Sequence, residues 1–434
     1  MLRFGLHPGP SVPPLQADRT DRAKDFHRGS ATISASDDHF EAFEPHTILK
    51  HRILKNYVES WGRKMLLRKG AGDSIRFVDA CAGSGGDELG NEGSPVQATR
   101  ANVIAQAQIS GLVNRPVTIH TVAIEKDPEL CSKLRAAVGA WKEKVDVRCG
   151  TLDDYIGDFS DSIPTLFFID PFGLEPLRAD LVRIALSGAK NEVLALFNDE
   201  GALRLLGGTK SDDDIVAELA LLDLQPGLFP ELTAAVRVEA EAKAKRKMAH
   251  RAKGRPRAGA ILTSTLGNES WKSIPLDGPT MQRLRSLLDC YTVQLRTFGA
   301  THVLPMQIRK ADGGRAYKLV HATQSGKGFV AMKEAYDSAL RSVVRDEVFP
   351  EAVADQLRKD MSISTAAVAT ELSLRYAGER NVAWTESGPD VPSLKRDVLQ
   401  GTAMLPSQTD DLKRDLVTFK EKGTKLSYSF PSLN

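Results

Sequence analysis

The chain has 434 residues, 41% hydrophobic and 26% charged, with a formal net charge of +2. That length exceeds one ordinary core and implies two or three domains, and the composition is that of a folded, soluble chain rather than a disordered or fibrous one. The near-neutral balance neither requires nor excludes a nucleic-acid partner. No apolar run approaches the roughly 18 residues a membrane helix needs, and Cys81, Cys131, Cys149 and Cys290 form no C-x-x-C pair, which leaves no zinc or iron–sulfur site and fits a reducing cytoplasm.

Residues 1–44 mix Pro, Gly, Ser, His and scattered charges without periodicity and read as a disordered tail. The opening "MLRFGLHPGPSVPP" lacks the apolar stretch of a signal peptide. The first clear element is "HTILKHRILKNYVESWGRKML", where Leu49, Ile53, Leu54, Tyr57, Val58, Trp61 and Met65 recur at three- and four-residue steps, one face of a helix.

From residue 75 apolar runs alternate with helical segments. "IRFVDA", "TIHTVAI", "VDVRC", "TLFFID" and "EVLALF" read as buried strands. Ser94-Pro95 reads as an N-cap followed by a first-turn proline, with Ser110-Gly111 closing that helix; Asp127-Pro128 opens the next and Gly139 closes it. Such alternation predicts a parallel sheet covered on both faces. After about residue 205 it stops. Residues 236–257 hold nine Lys/Arg against two Glu, either a solvated helix or an arm contacting RNA or DNA phosphates. "HVLPMQIRKADGGRAYKLVHAT" then reads as a hairpin around Asp-Gly-Gly. Five strands plus this hairpin fit a seven-stranded sheet whose last strand is antiparallel.

The expected organisation is a tail over 1–44, an α/β domain over 45–340 with a helical, basic insertion at 206–300, and a mostly helical domain over 341–434 that finishes in a winged-helix-like set of short strands.

The chemistry is concentrated at strand ends. "FVDACAGSGG" ends a strand in Asp79 and continues into Cys81 and a loop containing Gly83 and Gly85. In a doubly wound sheet, ligands bind beyond the strands' carboxyl ends. The spacing is not that of the dinucleotide fingerprint, and no Lys-Ser/Thr follows as in a phosphate loop. A carboxylate there would repel pyrophosphate but suit an ammonium or a sulfonium, as in S-adenosylmethionine; a tight turn capped by Asp79 is the plainer alternative. "TVAIEKD" ends in Glu125, placed for ribose hydroxyls, a device that NAD enzymes and methyltransferases share. "CGTLDDY" offers Asp153 and Asp154, either contacts to an adenine amino group or a helix cap. "FFIDPFG" puts the Asp170 carboxylate, a rigid turn and the Phe172 ring at the reactive end, where an acceptor amine would bond Asp170 and stack on Phe172. The four stretches, in this order on successive strands, point to S-adenosylmethionine.

"KHRILKNY", "VDACAGSGG", "GSPVQA", "AIEKD", "FIDPFG" and "YKLVHATQSGKGFVAMKEA", over roughly residues 46–340, resemble in order the three-Cys-motif partner protein family. That resemblance implies a Rossmann-like class I methyltransferase domain using S-adenosylmethionine and a radical-enzyme-like partner protein with three cysteines. A more distant likeness is to ribosomal RNA adenine-N6 methyltransferases; it implies that His51, Ser94, Glu125 and Asp153 touch the cofactor and that Asp170 acts at the acceptor. Cys81 stands where those enzymes carry a histidine. Asp170-Pro171-Phe172-Gly173 departs from their Asp-Pro-Pro-Tyr, which shapes the slot for a flipped base. Two functions compete: methyl transfer to a nucleic acid or nucleotide-like acceptor, or a cofactor-binding module that docks a partner. An NAD-dependent oxidoreductase is disfavoured by the glycine spacing.

Overall fold

A computed structural model describes residues 43–68, 72–113, 115–188, 190–209 and 256–360, with short pieces at 382–383, 399–400, 419–422 and 425–428. The expected tail through residue 42, the basic stretch through residue 255 and the helices expected late in the chain lie outside the described residues.

Helix α1 (Pro45–Leu67) begins with proline in its first turn and ends where Arg68 turns extended. Its apolar stripe is buried as the periodicity predicts, with Leu49, Ile53, Leu54, Tyr57, Val58 and Trp61 inside and Met65 only partly covered. Each large side chain so buried contributes roughly 1.5–3 kcal/mol. α2 (Ser94–Ser110) turns Ala98, Ala101 and Ala105 inward, and these small side chains let α1 lie close against it.

Strands β1 (Ser74–Asp79), β2 (Thr118–Glu125), β3 (Val145–Cys149), β4 (Thr165–Ile169) and β5 (Glu192–Phe197) run parallel, joined through α2, α3 (Pro128–Ala137), α4 (Leu152–Tyr155) and α5 (Ala179–Ser187). The hairpin β6 (His302–Arg309) and β7 (Arg315–Thr323) completes the sheet in the order β3-β2-β1-β4-β5-β7-β6, with β7 antiparallel to both neighbours. Gly313 takes φ +85° in its turn, a conformation that glycine adopts without a side-chain penalty. α1, α2 and the helix Gly326–Arg345 share one core with one face of the sheet. α5, α6 (Asp199–Gly208), the helix at 256–266 and the helix Thr280–Thr297 share the other.

Three readings of the sequence change. Ser94 is not the N-cap: Gly93 is, and the Ser94 hydroxyl turns inward to Asp79. The boundary at 340/341 falls inside the helix Gly326–Arg345, whose Leu340 and Val343 belong to the main core along with Val353 and Leu357 of the helix Glu351–Asp360. Cys131 and Cys149 are joined in a disulfide, with Cα atoms 5.8 Å apart. The late strands β8 (Val382–Ala383), β9 (Phe419–Lys422) and β10 (Lys425–Tyr428) form a small antiparallel sheet.

One buried polar group ties the layers together. Glu192 accepts hydrogen bonds from the Tyr57 hydroxyl of α1 and from His321 Nε2 of β7 at 2.8 Å. All three side chains are buried, and mutual hydrogen bonding offsets what their desolvation would cost.

Candidate active site at the carboxyl edge of the sheet

The chain reverses direction across the sheet between β1 and β4, and the crevice beyond their carboxyl ends is where such sheets hold ligands. Asp79, the last residue of β1, is fully buried. Its Oδ2 accepts from Ser94 Oγ at 2.7 Å and its Oδ1 from the Cys81 amide at 3.4 Å. Burial pushes its carboxyl up to about 7, with the nearby Asp170 charge adding to the shift and the Ser94 hydrogen bond and Lys50 opposing it.

The loop that follows takes the shape its glycines permit. Gly83 and Gly85 adopt φ of +63° and +83°, and a Cβ on Gly85 would meet Ala137 Cβ at 2.8 Å. Glu125, ending β2, latches this loop: one carboxylate oxygen accepts from the Gly83 amide at 2.8 Å and the other from the Asp127 amide at 2.8 Å. Each oxygen keeps a further lone pair for a ligand hydroxyl. The Cys81 thiol is held protonated by burial and by the charges of Asp79, Asp170 and Glu125, all close enough to act on it.

Asp170 stands one residue beyond β4 and is bonded by Lys50 Nζ of α1 in a largely buried ion pair. Lys50 is a functional candidate that the sequence reading passed over, although it adjoins His51 in the quoted motif. His51 itself is buried, 3.3 Å from Gln97 Nε2 through Nδ1, and kept neutral by burial and by Lys50. Phe172 is 80% exposed beyond Asp170.

Thus Asp79, Cys81, Gly83, Gly85, Ser94, Glu125 and Asp170 converge, with His51 one residue from Asp170's partner. Asp153 and Asp154 follow β3 on the same edge but are already engaged. Asp153 pairs with Arg178 at 2.8 Å, and Asp154 closes a capping box with the Thr151 amide and hydroxyl at 2.7 and 2.8 Å. Two hollows of about 570 and 610 Å³ lie elsewhere, one beside Trp271 and one at the opposite edge around His120 and Lys144; neither is lined by a strand-end carboxylate.

The strand order, with an antiparallel seventh strand between the fifth and sixth, decides the architecture. It is a Rossmann-like class I methyltransferase fold. No protein-family model matches the chain, and no curated protein matches it. Among solved structures it is similar to an O-methyltransferase from Bacillus cereus in complex with S-adenosylhomocysteine (10% identity, 63% of this chain and 80% of that one, TM-score 0.32). It is also similar to the cyclopropane synthase MmaA2 from Mycobacterium tuberculosis (9% identity, 69% and 73%, TM-score 0.24). Overlaps this loose add nothing to the strand order. Among the described residues no helix is long and apolar enough to cross a membrane.

Proposed function

We propose that this protein is an S-adenosylmethionine-dependent methyltransferase acting on an amine of a nucleic acid or nucleotide-like acceptor. The observation that carries the reading is the row of carboxylates Asp79, Glu125 and Asp170 on one sheet edge, around a loop held open by left-handed glycines. The residues fit that cofactor. A buried Asp79 suits a cation, Glu125 has lone pairs left for ribose hydroxyls, and the Gly83–Gly85 backbone can approach a ligand without side-chain hindrance. The cofactor, when bound, supplies an electrophilic methyl group on sulfur.

What this chain contributes is position and charge. Lys50 pairs with Asp170 and fixes the position of its carboxylate at the crevice. An acceptor N–H then donates to Asp170, which orients the nitrogen lone pair and takes the proton as the new bond forms. Phe172 offers a face for a stacked ring. The order of the motifs, resembling the three-Cys-motif partner proteins, supports the same reading and a radical-enzyme-like partner. The 236–257 stretch is the natural contact for RNA or DNA phosphates. The Lys50–Asp170 pair favours one second reading, a cofactor-binding docking module, because the carboxylate meant for the acceptor is already occupied.

Calorimetry against S-adenosylhomocysteine and NAD, with labelled S-adenosylmethionine offered total RNA, DNA and protein, tests the reading. Binding of the homocysteine and label transfer that Asp170→Ala abolishes are expected. NAD binding alone would overturn the cofactor, and equal transfer by wild type and Asp170→Ala would remove Asp170 from the mechanism.

A further inference from the structure

At the carboxyl end of β5 and the start of β7 the chain buries charged atoms to which it gives no hydrogen bond among the described residues. Asp199 opens α6 at 3% exposure, and among the described residues neither of its carboxylate oxygens has a hydrogen-bond partner. Arg315, the first residue of β7, buries its Nη1 without a partner as well. Lys318 sits opposite Phe197 in the β5–β7 register, two residues before Asp199. The three act on one another: burial pushes the Asp199 carboxyl up to about 6 while Lys318 and Arg315 pull it down. Burial likewise lowers the Lys318 ammonium, with Asp199 opposing. Yet no hydrogen bond joins them. The neighbouring Arg309 shows what a settled pair looks like here, holding Asp360 with both Nε and Nη2 at 2.6 and 2.8 Å.

Unmet groups of both signs at one edge define what would satisfy them. A carboxylate only accepts, so it calls for an N–H or O–H donor; a guanidinium only donates, so it calls for an anionic oxygen. The cluster lies on the same edge of the sheet as Asp170. β4 and β5 are neighbours, with Ile169 opposite Ala195. Tyr317, which precedes Lys318 and packs on the α1 face of β7 while Lys318 points to the other face, feels the Asp170 charge, so Asp170 lies across the strand from Lys318.

We infer that Asp199, Arg315 and Lys318 form the acceptor-recognition subsite, which takes a nucleotide by a hydrogen-bond donor on its base and an oxygen of its phosphate. The inference rests on the methyl-transfer reading and names the acceptor's recognition chemistry within it. Phe172, exposed on the same edge, provides the stacking surface that an aromatic base uses and that an amino acid of like charge does not. A free nucleotide and a single strand present the same chemistry.

The experiment is calorimetry on the full-length protein saturated with S-adenosylhomocysteine, titrated with the ribonucleoside monophosphates and with short mixed-sequence single-stranded RNA and DNA. Wild type, Asp199→Asn and Arg315→Met are compared. At least one probe should bind wild type, about tenfold more weakly in either variant, while affinity for the homocysteine stays within about twofold. Binding of monophosphates or of strands supports the subsite and tells which source it takes. Homocysteine binding with no nucleotide binding overturns the subsite and leaves the cofactor reading standing. Nucleotide binding without homocysteine binding overturns the cofactor reading instead. Since an unpaired buried carboxylate destabilises the ligand-free chain, Asp199→Asn should melt no lower than wild type. A fall of more than about 3 °C would mark Asp199 as structural and overturn the inference.

Discussion

The two halves of the sheet edge treat their carboxylates in opposite ways. On the β1–β2–β3 side, Asp79, Glu125 and Asp154 are met by the chain itself: a serine hydroxyl, backbone amides and a capping box. On the β4–β5–β7 side, among the described residues, Asp170 relies on one lysine from α1 and Asp199 has no hydrogen-bond partner. A group bonded by its own backbone is set whether or not a ligand is there. A group held by one side chain, or by none, can exchange its partner for a ligand. The first half is built as a fixed mould and the second as a set of open valences.

The comparison breaks most visibly at Glu125. Glu125→Ala would leave the Gly83 and Asp127 amides without their acceptor, at roughly 1–3 kcal/mol for each donor so buried. S-adenosylhomocysteine binding should fall below detection by calorimetry while the melting temperature drops; retained binding would show that the latch does not shape the loop. Next in size is the disulfide, which closes 18 residues between α3 and the end of β3. Its reduction, or Cys131→Ser, should lower stability by about 3 kcal/mol. Hydrogen exchange should loosen around β3 and α3 first and leave β5–β7 unchanged; uniform loosening would argue against two distinct halves.

Asp79 sharpens the contrast by pH. Its carboxyl is raised from 3.8 to about 7, so the folded chain holds a proton there that the unfolded chain has released between those values. Asp79 therefore makes stability fall as pH rises from about 4 to about 7, with the full cost remaining above 7. Binding of a ligand ammonium, which S-adenosylhomocysteine carries in its amino-acid part, runs the other way, because it needs the ionised form. Affinity for S-adenosylhomocysteine should rise about tenfold between pH 6 and pH 8. Calorimetry at both values checks this, and Asp79→Asn should flatten the dependence. The smallest effect expected is at the cap: Thr151→Ala should cost about 1 kcal/mol in chemical denaturation with little change at the acceptor end.

Much of this was legible in the sequence because it is local. Strand-end acids such as Asp79, Glu125 and Asp170 follow from apolar runs that stop at a charge, and the hairpin from Asp-Gly-Gly between two such runs. Ser94 misled for the same reason. A serine before Pro95 is an N-cap by every local rule, and only a buried carboxylate 15 residues away draws its hydroxyl inward. The Lys50–Asp170 pair spans 120 residues, and Cys131–Cys149 meet because β3 lies beside the α3 that follows β2; neither leaves a trace in spacing. Asp199 stands in sequence as an acid at the start of α6, which is an unexceptional place for one. What distinguishes it is a buried carboxylate with no hydrogen-bond partner among the described residues, which only packing reveals. The boundary at 340 was avoidable, since the apolar steps through Leu340 and Val343 run on without a break.

The Tyr57–Glu192–His321 group has a consequence for the order in which the protein is made. α1 carries Lys50 and His51 and is among the first described segments to leave the ribosome. Its Tyr57 hydroxyl, however, reaches His321, 264 residues later, and Arg52 holds Asp346, 294 residues later. A helix whose partners are so distant must wait with its apolar stripe uncovered while nearly the whole sheet is synthesised, at about 5–20 residues per second. The carboxyl edge of the sheet therefore closes as one late event, and a chain halted before β7 would carry Asp79, Glu125 and Asp170 yet lack the strand that seats α1.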